Sequence, residues 1–334
     1  MDELAQKIEI RGTGRFLPGD PVASEELDAR LGLSKGYLER QTGMKSRHYA
    51  GEKDQIEMGL KAARRAIEDA EIAPADIDLI VSACAIPFQT LPSTAPLLMR
   101  HLGIADGTCA AFDINSSCTS FVSATEVTAN LLASGQYENA LIVSSEVASR
   151  GLPWKDQPEV AALFGDGAAA AVLSLDATAQ VGIRASLMQS FPSQYDACEI
   201  GAGGTRFDYH KDPKAFERHT LFRMNGAALF KITLRRFPAF VDDLLAKAGW
   251  TRDEVDVIVP HQASPHALGH MVRQTGFASS KIVNLAANIG NQIAASIPTA
   301  LDFARMQGLA KPGDKMLILG TSAGVSFSGM ALQL

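Results

Sequence analysis

Two apolar patterns alternate along this chain. Short continuous runs of aliphatic and β-branched residues, such as Leu79-Ile-Val81, Ala140-Leu-Ile-Val143 and Met316-Leu-Ile-Leu319, predict strands covered on both faces. Between them lie longer amphipathic stretches, as from Thr119 to Ser134, where Phe121, Val122, Thr125, Leu131 and Leu132 mark a predicted helix. The order of elements repeats. Ala66 to Val81 reads as helix, polar turn, acidic pair and strand, and Leu244 to Val259 reads the same way. Each strand is followed by a loop and a second helix ending in Gly, Arg100-His-Leu-Gly103 in one copy and Arg273-Gln-Thr-Gly276 in the other. A helix ending near Gly135 and the strand from Ala140 then match Gly308 and the strand Lys315 to Leu319.

This duplication predicts two stacked α/β units related by pseudo-symmetry, 1–175 and 176–334, with a boundary near Asp176 after the strand Ala169 to Leu175. No low-complexity linker separates them, so they are expected to pack intimately. The irregular stretch from Phe191 to Ala215, rich in Gly and Asp, is expected to be a loop or lid insertion.

Composition sharpens this picture by exclusion. A 334-residue chain that is 46% hydrophobic and 20% charged has a large core available without staples. The N-terminus lacks a basic region followed by an apolar one, so no signal peptide is read. The longest apolar stretches, such as Ile77 to Ile86, run about ten residues, too short to span a bilayer. The four Cys, at 84, 109, 118 and 198, show neither CxxC spacing nor a disulfide framework, which points to a reducing cytoplasm. A net charge of −6 argues against nucleic-acid or anionic-membrane binding. One stretch runs the other way: Lys211, Lys214, Arg218, Arg223, Lys231, Arg235 and Arg236 cluster against Asp212 and Glu217. It reads as a solvated face or a docking patch for an acidic partner.

The candidate chemistry begins at Cys118. The strand Ala110 to Ile114 is followed by the polar turn Asn115-Ser-Ser-Cys118 and then by the helix from Thr119. A thiol there meets the helix macrodipole and free N–H groups, which favour the thiolate. Cys84, Cys109 and Cys198 lack that context. His261 directly follows the strand Val255 to Val259, where open α/β sheets place their ligand crevice. Ser264 and Pro265 predict the start of the next helix, which carries His266 and His270 at i, i+4. No acidic or Cys ligand accompanies these two, so no metal site is read. Asn291 lies in a Gly-containing loop before a helix, and its amide can donate to a developing oxyanion without titrating. The small-residue loop Leu319 to Gly329 can bring backbone N–H groups close to a ligand. Gly165-Asp-Gly-Ala-Ala-Ala170 matches a dinucleotide fingerprint, but a strand follows it where a helix is required, so that reading fails.

Taken together, these segments resemble the thiolase-fold condensing enzymes, and specifically the β-ketoacyl-acyl-carrier-protein synthase III family. The resemblance runs nearly end to end. It rests on Gly12-Thr-Gly-Arg-Phe-Leu-Pro18, Thr42-Gly-Met-Lys-Ser-Arg47, Phe112-Asp with Cys118, Phe164-Gly-Asp-Gly167, Pro260-His-Gln-Ala263, Gly290-Asn291, Ala294-Ala-Ser-Ile-Pro298 and the Gly324 loop. It implies a thiolase-like α/β fold, two pseudo-symmetric halves in a five-layered αβαβα sandwich. It also implies a decarboxylative condensation in which Cys118 holds the acyl group while His261 and Asn291 stabilise the enolate of a malonyl thioester. The oxyanion hole would come from the backbone N–H groups of Cys118 and Gly324. Tyr37, Leu91, Phe164, Asn225 and Ser322 are the implied substrate contacts, and Lys231, Arg235 and Arg273 the implied carrier-protein docking residues. Acyl-coenzyme A or acyl-carrier-protein thioesters are the implied substrates, with malonyl-acyl-carrier protein as extender, no metal or redox cofactor, and a homodimer whose partner loop helps close the acyl pocket.

Several positions depart from the family pattern. Tyr37 stands where acetyl-coenzyme A enzymes carry a Trp, Gln41 replaces an Arg, and Ser264 and His266 replace an Asn and a basic residue. Ala227 replaces an Asn, Ser322-Ala-Gly-Val325 replaces a run of glycines, and Leu91 replaces a Phe at the pocket floor. Two other functions are compatible with the motifs: transfer of the acyl group to another thioester, an amine or an alcohol, and a non-catalytic subunit of a heterodimeric synthase. Retention of His261 and Asn291 favours a malonyl-type acceptor.

Overall fold

The computed structural model describes residues 6–175 and 181–334. The expected boundary near Asp176 lies outside the described residues. The first sheet is five-stranded and contains β1 (Ile8–Phe16), β2 (Leu79–Ser82), β3 (Ala110–Asp113), β4 (Asn139–Glu146) and β5 (Gly167–Leu175), in the order β1-β5-β4-β2-β3. The second is four-stranded, with β6 (Gly182–Ser190), β7 (Val257–Pro260), β8 (Lys315–Ser322) and β9 (Ser326–Gln333) in the order β6-β9-β8-β7. The two orders superpose strand for strand, β1 on β6, β5 on β9, β4 on β8 and β2 on β7. The senses agree as well: β2 runs parallel to β4, and β7 parallel to β8. Among the described residues the second sheet has no counterpart of β3, and a single parallel bridge joins Ile258 to Ile282 on that side.

Side-chain alternation along the strands explains the layering. Leu79 and Val81 of β2 face inward with Val257 and Val259 of β7, and Met316 and Ile318 of β8 join the same cluster. Phe121, Val122 and Leu132 of α3 (Ser120–Ala133) and Ile297, Leu301 and Ala304 of α6 (Ser296–Met306) fill the space between the two sheets. Ile80, Leu141 and Val143 point outward beneath α1 (Gln55–Asp69) and α2 (Ala95–Leu102). Ile258, Leu317 and Leu319 point the other way, beneath α4 (Gly226–Ala248) and α5 (Pro265–Thr275). The result is helix, sheet, helix, sheet, helix, the five layers expected. Each buried aliphatic side chain contributes about 1.5–3 kcal/mol, so both faces of each sheet must be covered. In the Gly12-Thr-Gly motif, a Cβ on Gly12 would fall 2.3 Å from the Ala66 carbonyl oxygen, so only Gly lets α1 lie against β1.

The stretch expected to be a loop or lid is partly regular. It contains 3-10 turns over Pro192–Ala197, the two-residue strand Cys198–Glu199 paired with Arg223–Met224, and the helix Pro213–Arg218. The irregular region therefore extends past Ala215, to the start of α4. Among the described residues, no helix is long and apolar enough to cross a membrane.

Candidate active site

Cys118 sits at the head of the central helix α3. The chain leaves β3 at Asp113, makes one 3-10 turn over Ser117–Thr119 and enters α3 at Ser120. The turn is held by its own polar residues. Ser117 N–H donates to Asn115 Oδ1 at 2.9 Å, Ser116 N–H donates to Ser120 Oγ at 3.0 Å, and Ser120 Oγ donates to the Ser117 carbonyl at 2.7 Å. Ser117 is left-handed, with φ of 55°, a strained conformation held one residue before the thiol. The second sheet reaches this turn directly: Ser328 Oγ of β9 donates to Thr119 Oγ1 at 3.1 Å. A Cβ on Gly320 of β8 would lie 2.6 Å from Thr119 Cγ2, so β8 passes this close only because position 320 has no side chain.

The electrostatics of the thiol differ from the sequence expectation. The backbone N–H groups of Ala323 and Cys118 do favour the thiolate, but burial outweighs them and pushes the Cys118 thiol up to about 12, helped by Cys198 and Glu146. Desolvation beats the helix terminus here because water is largely excluded from the sulfur.

His261 lies just beyond β7 and continues its ladder, its N–H donating to the Leu319 carbonyl at 2.8 Å. The ring is buried, and burial pushes it down to about 4. Its Nδ1 lies 2.6 Å from Ser296 Oγ, at the first residue of α6. Asn291 is held from both sides of its backbone: its N–H donates to the Leu163 carbonyl at 2.8 Å, and its carbonyl accepts from Gly165 N–H at 3.1 Å. Its Oδ1 accepts from Ile293 N–H at 2.9 Å, which leaves Nδ2 as the amide's outward donor. Phe164 and Ile293, the neighbours of Asn291, pack in one cluster with Cys118. A Cβ on Gly320 would lie 3.8 Å from His261 Cβ, so the same glycine separates the His261 and Cys118 segments. The three residues from distant parts of the chain thus border one region between the ends of the two sheets.

The chain is similar to known proteins along nearly its whole length. Residues 112–191 match the family model described as 3-oxoacyl-[acyl-carrier-protein] synthase III, and residues 245–334 match its C-terminal counterpart. The chain is 33% identical over 329 residues to a protein named β-ketoacyl-[acyl-carrier-protein] synthase III in Neisseria gonorrhoeae, covering 98% of this chain and 99% of that one. The chain belongs to the β-ketoacyl-acyl-carrier-protein synthase III family. A crystal structure of 3-oxoacyl-(acyl carrier protein) synthase III from Pseudomonas aeruginosa superposes with a TM-score of 0.87 at 29% identity, covering 98% of each chain. The priming β-ketosynthase of the R1128 polyketide pathway gives a TM-score of 0.89 at 27% identity, covering all of this chain and 98% of that one. This synthase III relative is accordingly an enzyme of the acyltransferase class.

The remaining expected site residues fall in different places. Phe164 packs against Cys118 and meets Phe222 edge-on, with ring centroids 4.9 Å apart. Ser322 is buried in the turn between β8 and β9, where its one hydroxyl proton has the Ala323 and Ser326 carbonyls as alternative acceptors at 3.3 and 3.4 Å. Gly324, with φ of 121°, shapes the same turn, and the N–H that faces Cys118 Sγ is that of the preceding Ala323. Asn225 caps α4 through its Oδ1, which accepts from Ala228 N–H at 3.0 Å. Tyr37 is half-buried in a separate small cluster with Leu27 and Leu38, and its hydroxyl donates to Glu159. Leu91 is 84% exposed and does not join the side chains around Cys118. Lys231 and Arg235 on α4 and Arg273 on α5 are exposed. Ser264 caps α5 as expected, accepting from Ala267 N–H at 3.0 Å. Among the described residues, no group of three or more His, Cys, Asp or Glu could hold a metal ion.

Sequence reasoning missed Phe222, Ala323, Ser296 and Glu146. Glu146 is the one with a visible signal, an acid ending a strand apolar on both faces. Its carboxylate accepts from the N–H groups of Ala85, Ile86 and Ala294, yet burial pushes it up to about 8. The folded protein therefore binds a proton that the unfolded chain releases near its ordinary value of 4.5. Stability from this group is present below the unfolded value and is lost as pH rises through the folded one. Between about pH 6.5 and 8.5, above the ordinary histidine range, the thermal midpoint should fall, and Glu146→Gln should flatten that slope. Thermal melts of both proteins across this window check it; equal slopes would remove the assignment.

Proposed function

We propose that this enzyme catalyses a decarboxylative Claisen condensation between an acyl thioester and malonyl-acyl-carrier protein. Cys118 Sγ attacks the acyl carbonyl of an acyl-coenzyme A or acyl-carrier-protein donor. The donor's thiol leaves with the proton that Cys118 gives up, and the acyl group remains as a thioester on Sγ. The N–H groups of Cys118 and Gly324 receive the oxyanion of that step. The malonyl thioester then binds with its carbonyl facing His261 Nε2 and Asn291 Nδ2. Its bond to the carboxylate breaks, carbon dioxide leaves, and the electron pair moves into an enolate stabilised by those two neutral donors. The enolate carbon attacks the acyl-Cys118 carbonyl, the sulfur leaves, and a β-ketoacyl thioester is released. Every step moves electron pairs between thioesters, so the chemistry needs neither a metal nor a redox cofactor.

The observation that carries this reading is the pairing of a half-buried thiol at the head of α3 with two buried uncharged donors whose other polar atoms are already engaged. A charged acid or base in their place would suit proton transfer; neutral donors suit a developing enolate. Residues 1–175 supply the nucleophile and 176–334 the two donors. The exposed Lys231, Arg235 and Arg273 offer the cationic surface that an acidic carrier protein would meet. The enzyme is read as cytoplasmic. The test is to incubate the protein with a panel of acyl-coenzyme A and acyl-carrier thioesters, reading the covalent mass gain, and then to add labelled malonyl-acyl-carrier protein and read carbon dioxide. Loading without coupled carbon dioxide release would point instead to a non-malonyl acceptor.

A homodimer is part of the same reading. Strand β3 is an edge of its sheet, paired among the described residues only with β2, and its residues are half-exposed. Leu91, in the loop between β2 and α2, offers an apolar side chain to solvent. A second copy would pair the β3 edge and take Leu91 toward its own acyl pocket. Sedimentation equilibrium should return twice the chain mass; a single-chain mass at micromolar concentration would remove the dimer.

A further inference from the structure

We infer that Ser296 is a positioning residue that holds the His261 imidazole in the tautomer with its proton on Nε2. The inference rests on the enolate-stabilising role proposed above, which requires Nε2 to donate. The geometry comes from three atoms. Ser296 Oγ accepts a hydrogen bond from Gln262 N–H at 3.3 Å and lies 2.6 Å from His261 Nδ1. A hydroxyl has one proton to give. Serine 296 is fully buried, and His261 Nδ1 is the only acceptor in reach of its hydroxyl among the described residues. Were Nδ1 to carry the proton, the serine hydrogen would be stranded without an acceptor in a buried site, where an unmade hydrogen bond costs the full desolvation of the group. The hydroxyl therefore donates to Nδ1, and the imidazole hydrogen goes to Nε2.

The surroundings hold this arrangement rigidly. Gln262 clamps the segment after β7: its Nε2 donates to the Pro260 and Val283 carbonyls at 2.8 and 3.0 Å, and its Oε1 accepts from Leu285 N–H at 2.8 Å. No carboxylate bonds to the ring among the described residues, so nothing pulls the proton to Nδ1 as an aspartate partner would. The serine reaches the ring from α6, while His261 comes from the end of β7. Only the packing of α6 into the central layer brings the two together.

The test uses the intact protein with 15N-labelled histidine, the His261 signals being assigned by their loss in His261→Ala. Two-bond 1H–15N correlations at neutral pH should show the proton of His261 on Nε2. In Ser296→Ala that preference should be lost, and malonyl decarboxylation should fall by about 10-fold or more, short of the roughly 10²–10³-fold that follows loss of an oxyanion donor. Covalent loading of Cys118 should be retained in this variant. A wild-type spectrum with the proton on Nδ1 overturns the inference by itself, whether or not the variant folds. A folded Ser296→Ala protein with an unchanged tautomer and an unchanged decarboxylation rate overturns it too. Failure of the wild-type protein to load or to decarboxylate would instead remove the condensation reading, because the tautomer is measured without substrate.

Discussion

Replacing Cys118 by Ala or Ser is expected to abolish both covalent acyl loading and condensation. No other thiol in the chain is placed to substitute. Cys84 is buried and Cys109 directly precedes β3, at the opposite end of that strand from Cys118, and burial pushes their thiols up to about 12 and about 11. Cys198 is close enough to help raise Cys118 and its thiol is likewise pushed up to about 12, but it lies on a two-residue strand and lacks the backbone N–H groups that face the Cys118 sulfur. The expected result is a mass gain in the wild-type protein that is absent from Cys118→Ser with every acyl donor. Because burial holds the resting Cys118 thiol near 12, alkylation of the unliganded enzyme by iodoacetamide should be slow at pH 7. It should keep rising through pH 9 without a plateau, since the thiolate is the reactive form. A plateau near pH 7 would mean that Ala323 and Cys118 N–H groups outweigh desolvation in solution. Loading that survives in Cys118→Ser at the wild-type rate would overturn the proposed nucleophile.

The second large effect concerns the two donors. His261→Ala and Asn291→Ala should each lower decarboxylation by about 10²–10³, the usual loss when one oxyanion donor is removed. Loading of Cys118 should persist in both, because the donors act on the malonyl half of the reaction. The sign of the pH dependence follows from burial. With His261 pushed down to about 4, the ring is neutral throughout the range above pH 5, so the rate should show no acidic limb near 6.5. A bell whose acid side follows a group near 6.5, and which disappears in His261→Ala, would show instead that the ring titrates during turnover. Asn291→Asp should be at least as damaging as Asn291→Ala, because a carboxylate cannot donate and repels the enolate. Carbon dioxide release and intact mass, measured on the same samples, separate the two half-reactions.

Much of this molecule was readable from its amino-acid order. The strand cores from Leu79, Ala140, Val257 and Met316 carry continuous apolar runs because both faces of each sheet are covered, and such runs declare themselves locally. The duplication fixed the architecture: the same succession of helix and strand twice over leaves two like sheets to be stacked. The turn at Cys118 and the Ser264 cap are local as well, since each depends on residues within a few positions of one another; the Asn291 loop was legible as a motif, although Leu163 and Gly165 hold it from far along the chain.

What the order of residues left open depends on partners brought in from far along the chain. The Ser296 hydroxyl on α6 reaches His261 at the end of β7, Phe222 reaches Phe164 out of the long insertion, and the N–H facing Cys118 comes from Ala323. The sign of the Cys118 shift belongs to this group. A helix terminus can be read from sequence, and it favours the thiolate; how much water remains around the sulfur is set only when the second sheet closes over that terminus. The sequence by itself therefore determined which elements form, their pairing into two halves and which side chains have reactive chemistry. Tertiary structure decided the charge state and tautomer of those side chains, because desolvation and hydrogen-bond partners are properties of the packed interior, and periodicity along one element does not record them.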